Sequence, residues 1–165
     1  KFWGNLHAKL RKMKSPFFED LDENIRLFCD FDNLYLYKYN FPVNAKIMRN
    51  KIVWFNGMFE VVKVVNSQID FINKNIFICP GNIYKEGLTI RKWMPGDKFE
   101  LSGGGRKKVS DLFNESKLNA LDKNEHPIIL SKDRIEWIPG LAHSHNNYKQ
   151  NSQAYLIEWI RNEKE

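Results

Sequence analysis

Cysteine is scarce, with only Cys29 and Cys79 in 165 residues. Neither belongs to a CxxC pair or a metal-type spacing, so a disulfide framework is excluded and a reducing cytoplasm is the expected setting. No apolar run approaches the length of a membrane-spanning helix, and the N-terminus has no signal-peptide core. Catalytic signatures are equally sparse. Ser102 and Ser110 have no marked His/Asp partners, and His143 with His145 lacks a third ligand, so neither a serine nucleophile nor a metal site is assigned. The run Ser102-Gly103-Gly104-Gly105-Arg106 is neither G-x-x-x-x-G-K-S/T nor G-x-G-x-x-G. It also lacks the Asp-Ser ending of the SGGxDS pyrophosphate loop. A nucleotide triphosphate site is therefore not expected on this chain.

What the chain does hold is a core. With 42% hydrophobic and 14% aromatic residues it reads as folded, and its length suits one domain or two small ones. Twenty-six Lys and Arg against 20 Asp and Glu leave a net charge of +6, which is compatible with an anionic partner without requiring one. The first residue is Lys1 rather than Met, which suits a piece of a longer protein.

Periodicity divides the chain. Leu6, Leu10 and Met13 recur at helical spacing among basic residues, predicting a short helix within Phe2–Met13 that stops before Ser15-Pro16. Asn33–Tyr39 alternates leucines with Tyr35, Tyr37 and Tyr39, a strand with one aromatic face. Ile52–Phe55 and Met58–Val65 flank Asn56-Gly57, a pair that suits a type I′ hairpin turn. Further strands are expected at Ile69–Ile72, Ile76–Cys79, Pro127–Leu130 and Arg134–Ile138. Leu118–Glu125 reads as a link, Leu141–Ser152 as a loop and Gln153–Ile160 as a last strand, with a short helix as the alternative.

The stretch Leu88–Phe113 stands out. A short strand, Leu88–Arg91, leads to the Pro95-Gly96-Asp97 turn, where a carboxylate is expected to bond the turn backbone rather than act as a base. Extended Lys98–Leu101 then meets three glycines, Arg106-Lys107-Lys108, and a helical pattern of Val109, Leu112 and Phe113. Glycine N–H groups and these cations form a plausible cradle for a polyanion backbone, and an ordinary tight turn with surface lysines explains the residues nearly as well.

Arg91-Lys92-Trp93-Met94-Pro95-Gly96-Asp97-Lys98-Phe99, Gly105-Arg106-Lys107-Lys108-Val109-Ser110-Asp111-Leu112-Phe113 and Ile135-Glu136-Trp137-Ile138-Pro139-Gly140 together resemble the C-terminal domain of bacterial tRNA(Ile)-lysidine synthetase. The likeness is firm over Leu88–Gly140, about a third of the chain. Ser102, Gly103, Gly104 and Ala142 depart from it, standing where the family has a glycine, a methionine or basic residues.

The resemblance implies an α+β, β-rich fold of mostly antiparallel, sandwich-like sheets with a few short helices, of the type shared with the phenylalanyl-tRNA synthetase β subunit. It implies three parts: residues 1–14 as the end of a preceding helical domain or linker, 15–85 as a β-rich first subdomain, and 86–165 as a tRNA-binding domain. The family's enzyme uses ATP and magnesium in an N-terminal domain to adenylate the wobble cytidine of isoleucine tRNA, and lysine then displaces AMP. This chain would be the non-catalytic portion that meets the tRNA acceptor stem; a homodimer is a separate expectation. Arg91, Lys92, Lys98, Arg106, Lys107 and Lys108 would contact phosphates, with Gly105 allowing close approach. The competing expectation is a basic scaffold or dimerisation module without tRNA binding.

Overall fold

The computed structural model describes residues 2–22, 25–29, 34–38, 44–47, 51–55, 57–65, 73–144 and 153–161. The chain forms two compact units, Lys1–Asn40 and Phe41–Glu165.

The first unit holds helix α1 (Phe2–Arg11) and an antiparallel meander of β1 (Phe17–Asp22), β2 (Ile25–Cys29) and β3 (Leu34–Lys38). The helix ends ahead of Pro16, whose ring and missing N–H do not fit a helix interior. Strand β2 buries Leu27, Phe28 and Cys29, and Phe28 stacks between Phe18 at 4.7 Å and Tyr35 at 5.7 Å. On β3, Tyr35 makes this contact while Leu34 and Leu36 are exposed. Tyr39 and the side chain of Tyr37, the rest of the expected aromatic face, lie outside the described residues.

The second unit contains β4 (Asn44–Ile47), β5 (Lys51–Trp54), β6 (Gly57–Val65), β7 (Ile76–Pro80), α2 (Gly81–Glu86), β8 (Leu88–Lys92), β9 (Lys98–Glu100), β10 (Arg106–Lys108), α3 (Val109–Glu115), α4 (Ala120–Glu125), β11 (Pro127–Ser131), β12 (Arg134–Ile138), β13 (Ala142–His143) and β14 (Gln153–Arg161). Every pairing among the described residues is antiparallel. One sheet runs β13-β12-β11-β8-β4, a second β5-β6-β14-β7, and β9 with β10 forms a separate hairpin. The two large sheets share a core of Trp54, Phe59, Phe77, Leu88, Ile90, Ile129, Trp137, Ile157 and Trp159. The other face of the β11–β12 pair closes a second cluster with Phe99 of the hairpin and Val109 and Phe113 of α3. Strand β11 is thus buried on both faces, which explains its run of consecutive apolar residues. Cys79 lies in the first core, where burial, with the charge of Glu136 adding to it, pushes its thiol up to about 12.

Three expectations change. The boundary expected after residue 85 does not separate compact parts, because β4 pairs with β8 while β6 and β7 both pair with β14; the division falls after Asn40. The supposed link contains α4, started by Asn119, whose side chain accepts the Asp122 N–H at 2.8 Å. Gly57 is the first residue of β6, paired with Trp54, rather than a turn residue. Its lack of a side chain serves close packing: a Cβ there would stand 2.5 Å from the Ile160 carbonyl oxygen and 2.5 Å from the Trp159 ring. The expected strand Ile69–Ile72 lies outside the described residues.

Two stability predictions follow from this packing. Gly57→Ala should cost about 1–3 kcal/mol in urea unfolding, because a backbone carbonyl and a core indole must both move. His126, packed on Phe113 and with Nε2 3.0 Å from the Pro139 carbonyl oxygen, is held down to about 4 by burial. The unfolded chain takes up that proton near pH 6.5 and the folded one only near 4, so this stability is complete above 6.5 and is lost as pH falls through the window. Unfolding at pH 7 and pH 5 should differ by roughly 1–2 kcal/mol from this residue, and His126→Phe should shrink the difference.

Candidate nucleic-acid interface

The Trp93–Asp97 turn sets the position of everything after it. Arg91 on β8 reaches across the turn to Asp97 with two parallel N–H···O bonds of 2.8 Å each, and donates a third at 2.8 Å to the Lys92 carbonyl. Asp97 also accepts the Met94 N–H at 2.6 Å, while its backbone N–H donates to the Met94 carbonyl and its carbonyl accepts the Val109 N–H, both at 3.0 Å. Gly96 turns the chain at φ +97°, a region costly for other residues. Burial alone would raise the Asp97 carboxyl; the bonds from Arg91 and Met94 and the Arg91 charge overcome it and hold the group below the usual carboxylate range. As expected, this aspartate serves the turn.

From that turn the chain enters the β9–β10 hairpin, with Lys98 opposite Lys108, Phe99 opposite Lys107 and Glu100 opposite Arg106. Phe99 is buried in the second core cluster. Alternation then sends Lys98, Glu100, Arg106 and Lys108 to the other, solvent face. The three glycines connect the strands. The Leu101 N–H bonds the Gly105 carbonyl at 3.1 Å and the Gly104 N–H bonds the Leu101 carbonyl at 3.0 Å, with φ +82° and +88° at Gly104 and Gly105. Of the expected cradle, Gly104 spends its N–H inside the hairpin, and the positive φ of Gly104 and Gly105 shapes the turn. Arg106–Lys108 is strand, and the expected helix begins after it, at Val109.

The seven candidate residues consequently separate. Lys98 and Lys108 are exposed, side by side, and have no ion-pair partner among the described residues. Such a like-charged pair is destabilising until an anion joins it. Arg106 is two-thirds exposed and makes one bond of 3.2 Å to Glu100. Gly105 shapes the loop beside them. Lys107 points the other way and pairs with Glu115 of α3. Lys92 lies over the Phe55 ring at 4.3 Å. Arg91 is consumed by Asp97 and is 16% exposed, so it builds the turn rather than the surface.

Sequence reasoning missed Arg134. It stands on β12 facing the hairpin across a groove of about 340 Å³ lined by Lys98, Glu100, Arg106, Asp133, Arg134 and Ile135. Its i, i+2 relation to Glu136 on a predicted strand was the available signal, since both side chains must share one face. Among the described residues no group of three or more His, Cys, Asp or Glu side chains is placed to hold a metal ion, and no helix is long and apolar enough to cross a membrane.

Residues 88–159 match the family model for the TilS substrate C-terminal domain. The tRNA(Ile)-lysidine synthase of Geobacillus kaustophilus (strain HTA426) is 36% identical over 72 residues, covering 42% of this chain and 16% of that protein. That of Bacillus subtilis (strain 168) is 33% identical over 93 residues, covering 54% and 20%. The chain thus spans a fifth or less of the length of these curated relatives. A crystal structure of a TilS C-terminal domain superposes with a TM-score of 0.59 at 23% identity, over 66% of this chain and 87% of that one. The likeness confirms a β-rich antiparallel fold with few short helices.

Replacing Asp97 tests the turn. Asp97→Asn should cost about 1–3 kcal/mol by leaving the Arg91 guanidinium without its carboxylate. A carboxyl held low in the fold contributes stability above its unfolded value near 4 and loses it as pH falls further. The wild type should therefore lose stability below about pH 4 more steeply than Asp97→Asn, as read by urea midpoints between pH 5 and 2.5.

Proposed function

We propose, on the premise that residues 88–159 are a TilS substrate C-terminal domain, that this chain is the tRNA-recognition portion of a cytoplasmic tRNA(Ile)-lysidine synthetase. The enzyme would use ATP and magnesium to adenylate the wobble cytidine of isoleucine tRNA and let lysine displace AMP. That chemistry belongs to another domain, and the part played here is to hold the acceptor stem. The observation that carries the reading is the solvent face of the hairpin, where Lys98, Lys108 and Arg106 cluster inside the segment that matches the family.

Two ammonium groups and a guanidinium on a rigid two-stranded ribbon suit a phosphate backbone. They would fix its position without reading sequence, which in RNA depends on shape, exposed bases and 2′-hydroxyls. Arg91 supports the reading indirectly, through the turn that aims the ribbon, and Lys107 braces the ribbon against α3.

Titration of tRNA over a range of salt tests it. The triple variant Lys98→Ala, Arg106→Ala, Lys108→Ala should bind more weakly and flatten the plot of log K against log salt by about two to three. Lys107→Ala should leave affinity within about twofold, since its charge is already paired. An unchanged slope in the triple variant would remove the hairpin from the interface.

A further inference from the structure

The groove between the β9–β10 hairpin and the β11–β12 turn holds two arginines in unlike states. Arg134 grips Glu136 through Nε at 2.7 Å and a terminal nitrogen at 3.0 Å. Glu136 is itself 2% exposed, accepts the Ser144 hydroxyl, and its backbone carbonyl accepts the Ser144 N–H at 2.6 Å. Arg134 nevertheless remains half-exposed at the groove. It is a cation whose stem and fork orientation are set by a buried anion, so little freedom is lost when it meets a ligand. The Glu136 bonds also raise its already high pKa, keeping it charged.

Arg106 is the opposite case. Its partner Glu100 is exposed, the single bond is long, and a pair of this kind contributes little in water. Phosphate offers a guanidinium two acceptor oxygens at once and a better match than one carboxylate oxygen. Glu100 then stands in the groove as an internal competitor.

We propose that this groove seats one RNA backbone phosphate, with Arg134 as the fixed cation and Arg106 as the exchanging one, which leaves Glu100 for the phosphate. The assignment rests on the tRNA-binding reading above and deepens it. Arg134 becomes a binding residue, Glu136 the residue that positions it, and Glu100 a brake on affinity. Lys98, on the same wall as Arg106, supplies charge to the seat.

The full chain and an isoleucine tRNA transcript, measured by fluorescence anisotropy, test the proposal. Arg134→Gln should weaken binding about tenfold, and Arg134→Lys should recover only part of it. Glu100→Gln should tighten binding about threefold by removing the competitor. In an Arg106→Ala background the same change should give a smaller gain, because no guanidinium is left to release. Inorganic phosphate, matched in ionic strength to a chloride control, should compete only weakly if the seat belongs to RNA; displacement at low millimolar phosphate would make it a free-phosphate site and overturn the proposal. Equal affinity for wild type and Arg134→Gln, or no tightening by Glu100→Gln, would also overturn it. If those occur while the hairpin triple variant still binds weakly, the tRNA-binding reading stands and only the groove is wrong. Should Arg134→Gln fail to fold, Arg134→Lys and the Glu100→Gln gain compared with and without Arg106→Ala decide the matter, since Glu100 lies on an exposed pair.

Discussion

The orientation of the basic ribbon depends on one carboxylate. Asp97 takes a two-pronged guanidinium from β8, closes its own turn through Met94, and receives the first N–H of α3 on its carbonyl. Three elements that approach from different directions are tied at a single residue. With that tie in place, Phe99 drops into the core formed with Val109 and Phe113, and the opposite side of the hairpin has nowhere to face but water. Charge on the surface is thus a consequence of an ion pair beneath it.

The same interaction shows how the protein uses its cations. Those closest to the fold are spent on it: Arg91 on a turn, Lys107 on a helix, Lys92 on an aromatic ring. Of the candidate contacts, those that remain, Lys98, Arg106 and Lys108, stand exposed on the short strands of the hairpin. Held on a braced ribbon, Lys98, Arg106 and Lys108 present their charge in one direction.

Much of this was readable from the residues. The alternation in Ile52–Val65 and Gln153–Ile160, the Pro95-Gly96-Asp97 turn and the helical pattern after Lys108 each named its element. The β9–β10 pairing was not readable, because Arg106-Lys107-Lys108 has no apolar alternation and is strand only by virtue of its partner. Gly57 was misplaced by one residue for a related reason. A glycine beside an asparagine signals a turn locally, whereas the constraint on it comes from Trp159, a hundred residues away in sequence. Helix α4 escaped notice because its apolar residues are few, although Asn119 with Asp122 three residues on was a legible start signal. Arg91 was assigned to the surface because its partner lies across a turn. The family motifs fall within the segment that matches the TilS substrate C-terminal domain, and geometry sorts its basic residues into those paired within the fold and those left exposed.

Strand β14 lies between β6 and β7 and matches β6 over nine consecutive residue pairs. During synthesis that arrangement imposes an order. Strands β5, β6 and β7 leave the ribosome with the centre of their sheet missing, and the shared core with Trp54, Phe59 and Phe77 stays open until residues 153–161 arrive. The four-stranded sheet and the core it shares must therefore wait for β14, leaving Trp54, Phe59 and Phe77 without that cover in the interval. Such long-range closure folds slowly and invites chaperone capture. The nascent chain, not the finished domain, is where this architecture is most vulnerable.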